Sequence, residues 1–172
     1  MRKIILVGYM AVGKTTIAQL LAQKMGYKML DTDKLIEKKT DLSISEIFQQ
    51  KGEVFFRKIE HEIFKEILQR NENVIISTGG GTPCYANNHL LLNSKNVTSI
   101  YLKASVDTIF KRLKSSQKGR PLVAEKTEDE LKEFVAKHLF ERSYFYNQAT
   151  FKVDIDAKNK GDIANEIIEL LH

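Results

Sequence analysis

The sequence predicts an α/β protein, doubly wound around a parallel sheet. Three observations carry that prediction. Short runs rich in β-branched residues alternate with longer stretches of helical periodicity. The runs at 4–7 and 74–76 are continuously apolar, as strands buried on both faces are. The first of them runs directly into a glycine-containing loop that opens an amphipathic stretch.

In chain order, strands are expected at 3–7, 28–30, 74–77, 97–102 and 151–153, the second with the weakest pattern. Helices are expected at 15–25, 34–39, 54–70, 106–113 and 128–146. In the third of these, Phe56, Ile59, Ile63 and Ile67 recur at helical spacing and mark a buried stripe. Ser43-Ile44-Ser45-Glu46 and Thr127-Glu128-Asp129-Glu130 have the form of capping boxes, each announcing a helix start. No repeat or low-complexity linker divides the 172 residues, so residues 1–172 are expected to form one domain. A chain of that length buries enough surface to fold without disulfide or metal.

Composition narrows the function classes. Apolar residues make up 42% and charged residues 28%, ordinary for a globular protein. The single cysteine, Cys84, allows no internal disulfide and fits a reducing compartment. Met1-Arg2-Lys3 leads into an apolar run of four residues ending at glycine, too short for a signal peptide. No run approaches the roughly 20 apolar residues of a membrane span, so a cytoplasmic protein without membrane contact is expected. The net charge of +5 suits either a solvated basic face or small anionic ligands. Lysines are scattered and no aromatic-basic motif is present, so nucleic acid is not an expected partner.

Gly8-Tyr9-Met10-Ala11-Val12-Gly13-Lys14-Thr15 fits the pattern G-x-x-x-x-G-K-S/T, a P-loop, between an expected strand and an expected helix. Its glycines let backbone N–H groups curl around a phosphate, and the helix N-terminus adds partial positive charge. Lys14 would reach the β- and γ-phosphates of a nucleotide, and the Thr15 hydroxyl would hold magnesium. The motif predicts nucleotide binding but leaves the reaction open.

Several residues offer a second ligand site. Asp31 and Asp33 end the second strand, where they could face magnesium and an acceptor hydroxyl, or simply cap the following helix. Arg57 and Glu60 share a helix face, either as an ordinary surface pair or with Arg57 as a carboxylate-binding group beside Phe55-Phe56. Gly79-Gly80-Gly81 after the third strand permits close approach of backbone to a ligand, against the alternative of a flexible turn. Arg120-Pro121 lies in a polar stretch, 114–126, that has the length of a lid. Arg142 falls within the next helix, where a solvated charge is the alternative.

Taken together these motifs resemble the shikimate kinase family over nearly the whole chain. The pattern comprises the P-loop, Asp31-Thr32-Asp33, Phe56-Arg57, the triple glycine, Arg120-Pro121-Leu122, and Arg142 shortly before Tyr144, in that order. The resemblance implies sheet order 2-3-1-4-5, an acceptor-binding helical region at about 33–60 and a mobile lid at about 114–126. It implies ATP held by Ala11, Val12, Gly13, Lys14, Thr15 and Thr16, with Arg120 from the lid and Lys158 near the adenine. Mg2+ would be held by Thr15 and Asp31, with Ser77 in support. Asp33 would act as base, with Lys14 and Arg120 as further catalytic groups. Arg57, Arg142, Gly79, Gly80, Gly81 and Asp33 would bind the acceptor, shikimate. A monomer is expected. The adenine-side basic residue has three candidates, Arg112, Lys114 and Lys158. Ala11 stands where many relatives carry glycine, a change expected to be tolerated if its φ is negative.

Overall fold

The structure, a computed structural model, describes residues 1–115 and 126–172. Among the described residues five strands form one sheet: β1 (Lys3–Val7), β2 (Lys28–Asp31), β3 (Val74–Ser77), β4 (Val97–Lys103) and β5 (Phe151–Asp154). Their order is β2-β3-β1-β4-β5, and every neighbouring pair is parallel. Parallel neighbours require crossovers, which are supplied by the flanking helices.

These helices are α1 (Lys14–Met25), α2 (Thr32–Thr40), α3 (Ile44–Gln50), α4 (Gly52–Gln69), α5 (Val106–Ser115), α6 (Glu128–Tyr146) and α7 (Lys160–Leu170). α1 packs against α7, α5 against α6, and α2 and α3 against α4. The lid segment expected at 114–126, with Arg120 and Pro121, lies largely outside the described residues. No helix among the described residues is long and apolar enough to cross a membrane.

The central strands are where the core is driest. Ile4, Ile5, Leu6 and Val7 of β1 and Val74, Ile75 and Ile76 of β3 are fully buried, as their uninterrupted apolar runs require. β2 sits at the sheet edge, and its exposed Lys28 and half-buried Met29 explain its weak sequence signal. It nonetheless pairs with β3 along its whole length, through Asp31.

Both expected capping boxes are present. Ser43 accepts from the Glu46 N–H while Glu46 accepts from the Ser43 N–H, and Thr127 and Glu130 do the same for α6.

The stripe on α4 differs from the expected one in an instructive way. Phe56, Ile63 and Ile67 are buried, but Ile59 is only half-buried, and the remaining buried positions are Phe64 and Glu60. A carboxylate on the apolar face of a helix is costly unless paired. Its partners lie in the site described below.

Ile5 is at the centre of the sheet, between β3 and β4, with no exposed surface. Ile5→Ala is expected to lower unfolding free energy by about 2–5 kcal/mol, because the cavity left there cannot collapse against two paired strands. Urea denaturation would measure it. A change within error would show that this strand is not the packed centre.

Candidate functional site

The carboxyl ends of β1, β2 and β3 finish in one row. Leu6 lies beside Ser77, and Ser77 beside Asp31. The loop after β1, the acids after β2 and the glycine turn after β3 therefore meet at one edge of the sheet, where open α/β sheets bind ligands. A cleft of about 710 Å³ opens there, with Lys14, Thr15, Asp31, Asp33, Gly79 and Gly80 in its walls.

The first wall is the loop from Gly8 to Gly13. Gly8 and Gly13 have φ of 145° and 97°, and a Cβ on Gly8 would stand 2.8 Å from the Leu102 carbonyl oxygen. Glycine is needed there on both counts. Ala11 also has positive φ, 65°, so the condition under which alanine would be free of cost is not met. The Lys14 ammonium spans the loop, donating to the Gly8 and Tyr9 carbonyls at 2.7 and 2.9 Å. Thr16 lines the same cleft, whereas Val12 is buried behind it.

Beside this wall the Thr15 hydroxyl donates to Asp31 Oδ2 at 3.0 Å and lies 3.2 Å from the Ser77 hydroxyl. Asp31 is also the N-cap of α2: its Oδ1 accepts from the Asp33 and Lys34 N–H groups at 3.1 and 3.3 Å. Asp31 thus caps α2 with Oδ1 and accepts from Thr15 with Oδ2. Asp33 is not the cap; it sits in the first turn of α2 and faces the cleft.

The other wall is the turn Gly79-Gly80-Gly81. None of the three needs a left-handed backbone. What they need is room. A Cβ on Gly79 would lie 3.1 Å from each of Asp33 Oδ1, Glu60 Oε1 and Thr82 Oγ1, and one on Gly81 would lie 2.8 Å from both terminal nitrogens of Arg57. The turn is held rather than flexible: Gly79 N–H donates to Thr32 Oγ1 at 3.0 Å, and the Tyr146 hydroxyl donates to the Gly80 carbonyl at 2.6 Å.

Behind the turn stands Arg57, whose side chain is 16% exposed. Its Nη1 donates to Glu60 at 2.8 Å, and Glu60, only 1% exposed, also accepts from Thr82 at 2.6 Å. This resolves the pair as a buried, hydrogen-bonded ion pair instead of a surface one. Arg142 is half-buried too, with its guanidinium 5.5 Å from the Tyr9 ring centroid and Nη1 3.5 Å from where a Cβ on Gly80 would be.

The electrostatics separate the acids. Burial pushes the Asp33 carboxyl up to about 6, and the nearby Asp31 and Glu60 carboxylates add to it against the pull of Lys14. Burial likewise pushes the Cys84 thiol up to about 11, although Arg142 and Arg57 both oppose it, so this cysteine is a poor nucleophile.

Of the three candidates for an adenine-side basic residue, Arg112 is the one at the cleft. Its Nη1 donates to the Ala11 and Val12 carbonyls at 3.3 and 3.0 Å. Lys114 pairs with Glu128, and Lys158 pairs with Glu166 at 2.6 Å; neither lines the cleft. From the start of α7, Lys160 lines the cleft. Arg120 lies outside the described residues. The sequence also passed over Glu60 as an anchor, although its place four residues after Phe56, on the apolar stripe, was a usable signal.

This edge brings together the Lys14 loop, an acid with raised affinity for protons and, beside the glycine turn, two arginines. Oxygen donors on Thr15, Asp31 and Ser77 form a set suited to a hard divalent cation that keeps several waters.

Comparison with known proteins agrees with that chemistry. A family model described as shikimate kinase matches residues 10–172. A shikimate kinase of Flavobacterium johnsoniae is 53% identical over 171 residues, covering 99% of each chain. Among solved structures, a shikimate kinase from Bacteroides thetaiotaomicron superposes with TM-score 0.92 at 33% identity, over 99% of this chain and 98% of its own. A shikimate kinase from Acinetobacter baumannii in complex with shikimate gives 0.88 at 31% identity, over 99% and 93%.

The position of Asp33 has a measurable consequence for stability. Its carboxyl holds a proton more tightly folded (about 6) than in the usual carboxylate range near 3.8. Its contribution is therefore complete below about pH 4 and is lost as pH rises through about 6. Asp33→Asn removes that penalty. The variant is expected to exceed the parent by on the order of 3 kcal/mol above pH 7, and by little at pH 4. Denaturant titrations at the two pH values would test this; an equal difference at both would contradict the burial of a charged Asp33.

Proposed function

The chain belongs to the shikimate kinase family, and from that premise we propose how its own residues phosphorylate shikimate. The reaction is ATP-dependent phosphorylation of the 3-hydroxyl, giving shikimate 3-phosphate and ADP, a step in chorismate and aromatic amino acid biosynthesis. The observation that carries the residue assignment is the single cleft that has Lys14 and Thr15 on one wall and Asp33 on another.

In this reading the amides of the Gly8–Thr15 loop and the N-terminus of α1 cradle the ATP phosphates. Lys14 exchanges its carbonyl partners for the β- and γ-phosphate oxygens. Thr15, Asp31 and Ser77 supply the oxygen surroundings for Mg2+, which neutralises phosphate charge when bound. Arg57 and Arg142, behind the glycine turn, receive the shikimate carboxylate; their planar forks match it. That contact sets the 3-hydroxyl toward Asp33. Asp33 accepts the hydroxyl proton as the oxygen–phosphorus bond forms and the bond to the β-phosphate oxygen breaks, its electrons leaving on ADP. An acid near 6 is ionised at neutral pH yet still basic enough to take a proton. Arg112 and Lys160 border the nucleotide end of the cleft. Arg120, outside the described residues, is assigned to the phosphates on family membership alone.

Lys14→Met is expected to lower turnover on the order of 10²-fold or more with the fold retained, since transfer depends on charge placed at the phosphates. A coupled ADP-release assay, with circular dichroism as the control, would decide; normal turnover in a folded variant would remove the loop from the reaction.

Arg57→Ala and Arg142→Ala are each expected to weaken shikimate binding by about 2–5 kcal/mol. Arg57→Lys should recover only part of that loss, because a point charge cannot replace the fork. Isothermal titration with shikimate would show it, and unaltered affinity in both alanine variants would place the acceptor elsewhere.

A further inference from the structure

Tyr85 belongs to none of the motifs described above, yet its ring lies on the acceptor-side arginine. The Arg57 Cζ lies over the Tyr85 ring, 3.9 Å from its centroid, and over the Phe56 ring at 5.0 Å. At its edges the same guanidinium donates from Nε to Glu53 at 3.3 Å and from Nη1 to Glu60 at 2.8 Å. Hydrogen bonds of that kind lie in the guanidinium plane and resist tilting out of it only weakly. The Tyr85 ring, the nearer of the two, adds a restraint on the guanidinium.

The chain is built to deliver that ring. Tyr85 follows the short 3-10 helix Thr82–Cys84, and Ala86 and Asn87 come next with φ of 51° and 57°. Left-handed backbone is disfavoured for residues other than glycine and persists where the surroundings over-determine it. Asn88 is the pin. It is buried, its N–H donates to the Tyr85 carbonyl at 3.0 Å, and its Nδ2 donates to the Thr82 carbonyl at 2.9 Å. Its Oδ1 lies 2.6 Å from Nδ1 of His61, which follows Glu60 on α4. The turn that carries Tyr85 is thus tied to the helix that carries Arg57.

We infer that Tyr85 is a positioning residue for the acceptor: its ring, held by the strained turn at Ala86 and Asn87, keeps the Arg57 guanidinium oriented to receive the acceptor carboxylate. This rests on the reading of Arg57 as a carboxylate-binding group. The ring orders that group before the acceptor arrives, so less freedom is lost on binding. Tyr85 is 38% exposed, and a stack partly in water is expected to change acceptor affinity by about 2- to 5-fold.

Steady-state kinetics of Tyr85→Ala, Tyr85→Leu and Tyr85→Phe, alone and combined with Arg57→Ala, test this, with a thermal melt of each. Tyr85→Ala and Tyr85→Leu are expected to raise the shikimate KM by about 2- to 5-fold with the ATP KM unchanged, whereas Tyr85→Phe keeps the ring and the parental KM. Added to Arg57→Ala, Tyr85→Ala should change nothing further. Independent effects in the double variant, or a phenylalanine as damaging as alanine, would overturn the inference. So would a fall in melting temperature with turnover and both KM values changed together, which marks a merely structural role. Should Tyr85→Ala fail to fold, the leucine and phenylalanine pair still decides. A large effect of Arg57→Ala with a silent Tyr85→Ala removes the inference alone. Unchanged shikimate KM in Arg57→Ala removes the reading beneath it.

Discussion

The parallel register of three strands is the constraint from which the site follows. Each strand pair is locked by a hydrogen-bond ladder, so Leu6, Ser77 and Asp31 must end in one row. A shift of one residue in β3 would break its pairing with β1 and β2 and move Ser77 away from Thr15. The core therefore enforces the candidate site: burying Ile75 and Ile76 on the sheet is the same act as placing Ser77 and the glycine turn. The phosphate loop, the acids and the turn come from distant parts of the chain, yet little further adjustment brings them together.

A second constraint works at the glycine turn. Glu60 occupies the apolar face of α4, where an unpaired carboxylate would be untenable. Arg57 and Thr82 satisfy it, and Gly79 has no side chain to displace it. One buried charge thereby fixes an arginine, a threonine and the glycine turn relative to one helix. It also raises the proton affinity of Asp33, together with burial and Asp31. The feature that costs the fold stability is thus the one that brings the candidate base toward neutrality, a pattern common where stability and function compete.

Much of this was legible in the sequence because it is local. Strands β1, β3 and α6 have the expected bounds, and the capping boxes at Ser43 and Thr127 form as their spacing requires. Lys14 and Thr15 are placed by the turn of chain that contains them. Less local signals were read partially. Ile59 was expected in the stripe of α4 and Glu60 was not, because periodicity identifies a face but not the partner that makes a polar residue tolerable on it. Ala11 was readable as a substitution, but its left-handed φ was not, since loop curvature is set by what the loop closes around.

The sequence by itself determined the fold class, the P-loop motif and the family resemblance, all of which depend on residues adjacent in the chain or repeated at a fixed period. Tertiary structure alone decided the residues that act across long separations. Arg112 reaches the P-loop carbonyls about a hundred residues away, Lys160 rather than Lys158 lines the cleft, and Tyr146 holds Gly80. Tyr85 lies over Arg57 because a turn pinned by Asn88 to His61 takes it there. No local pattern encodes such contacts. They follow from which helix faces pack together, and that is settled only when the whole core is buried.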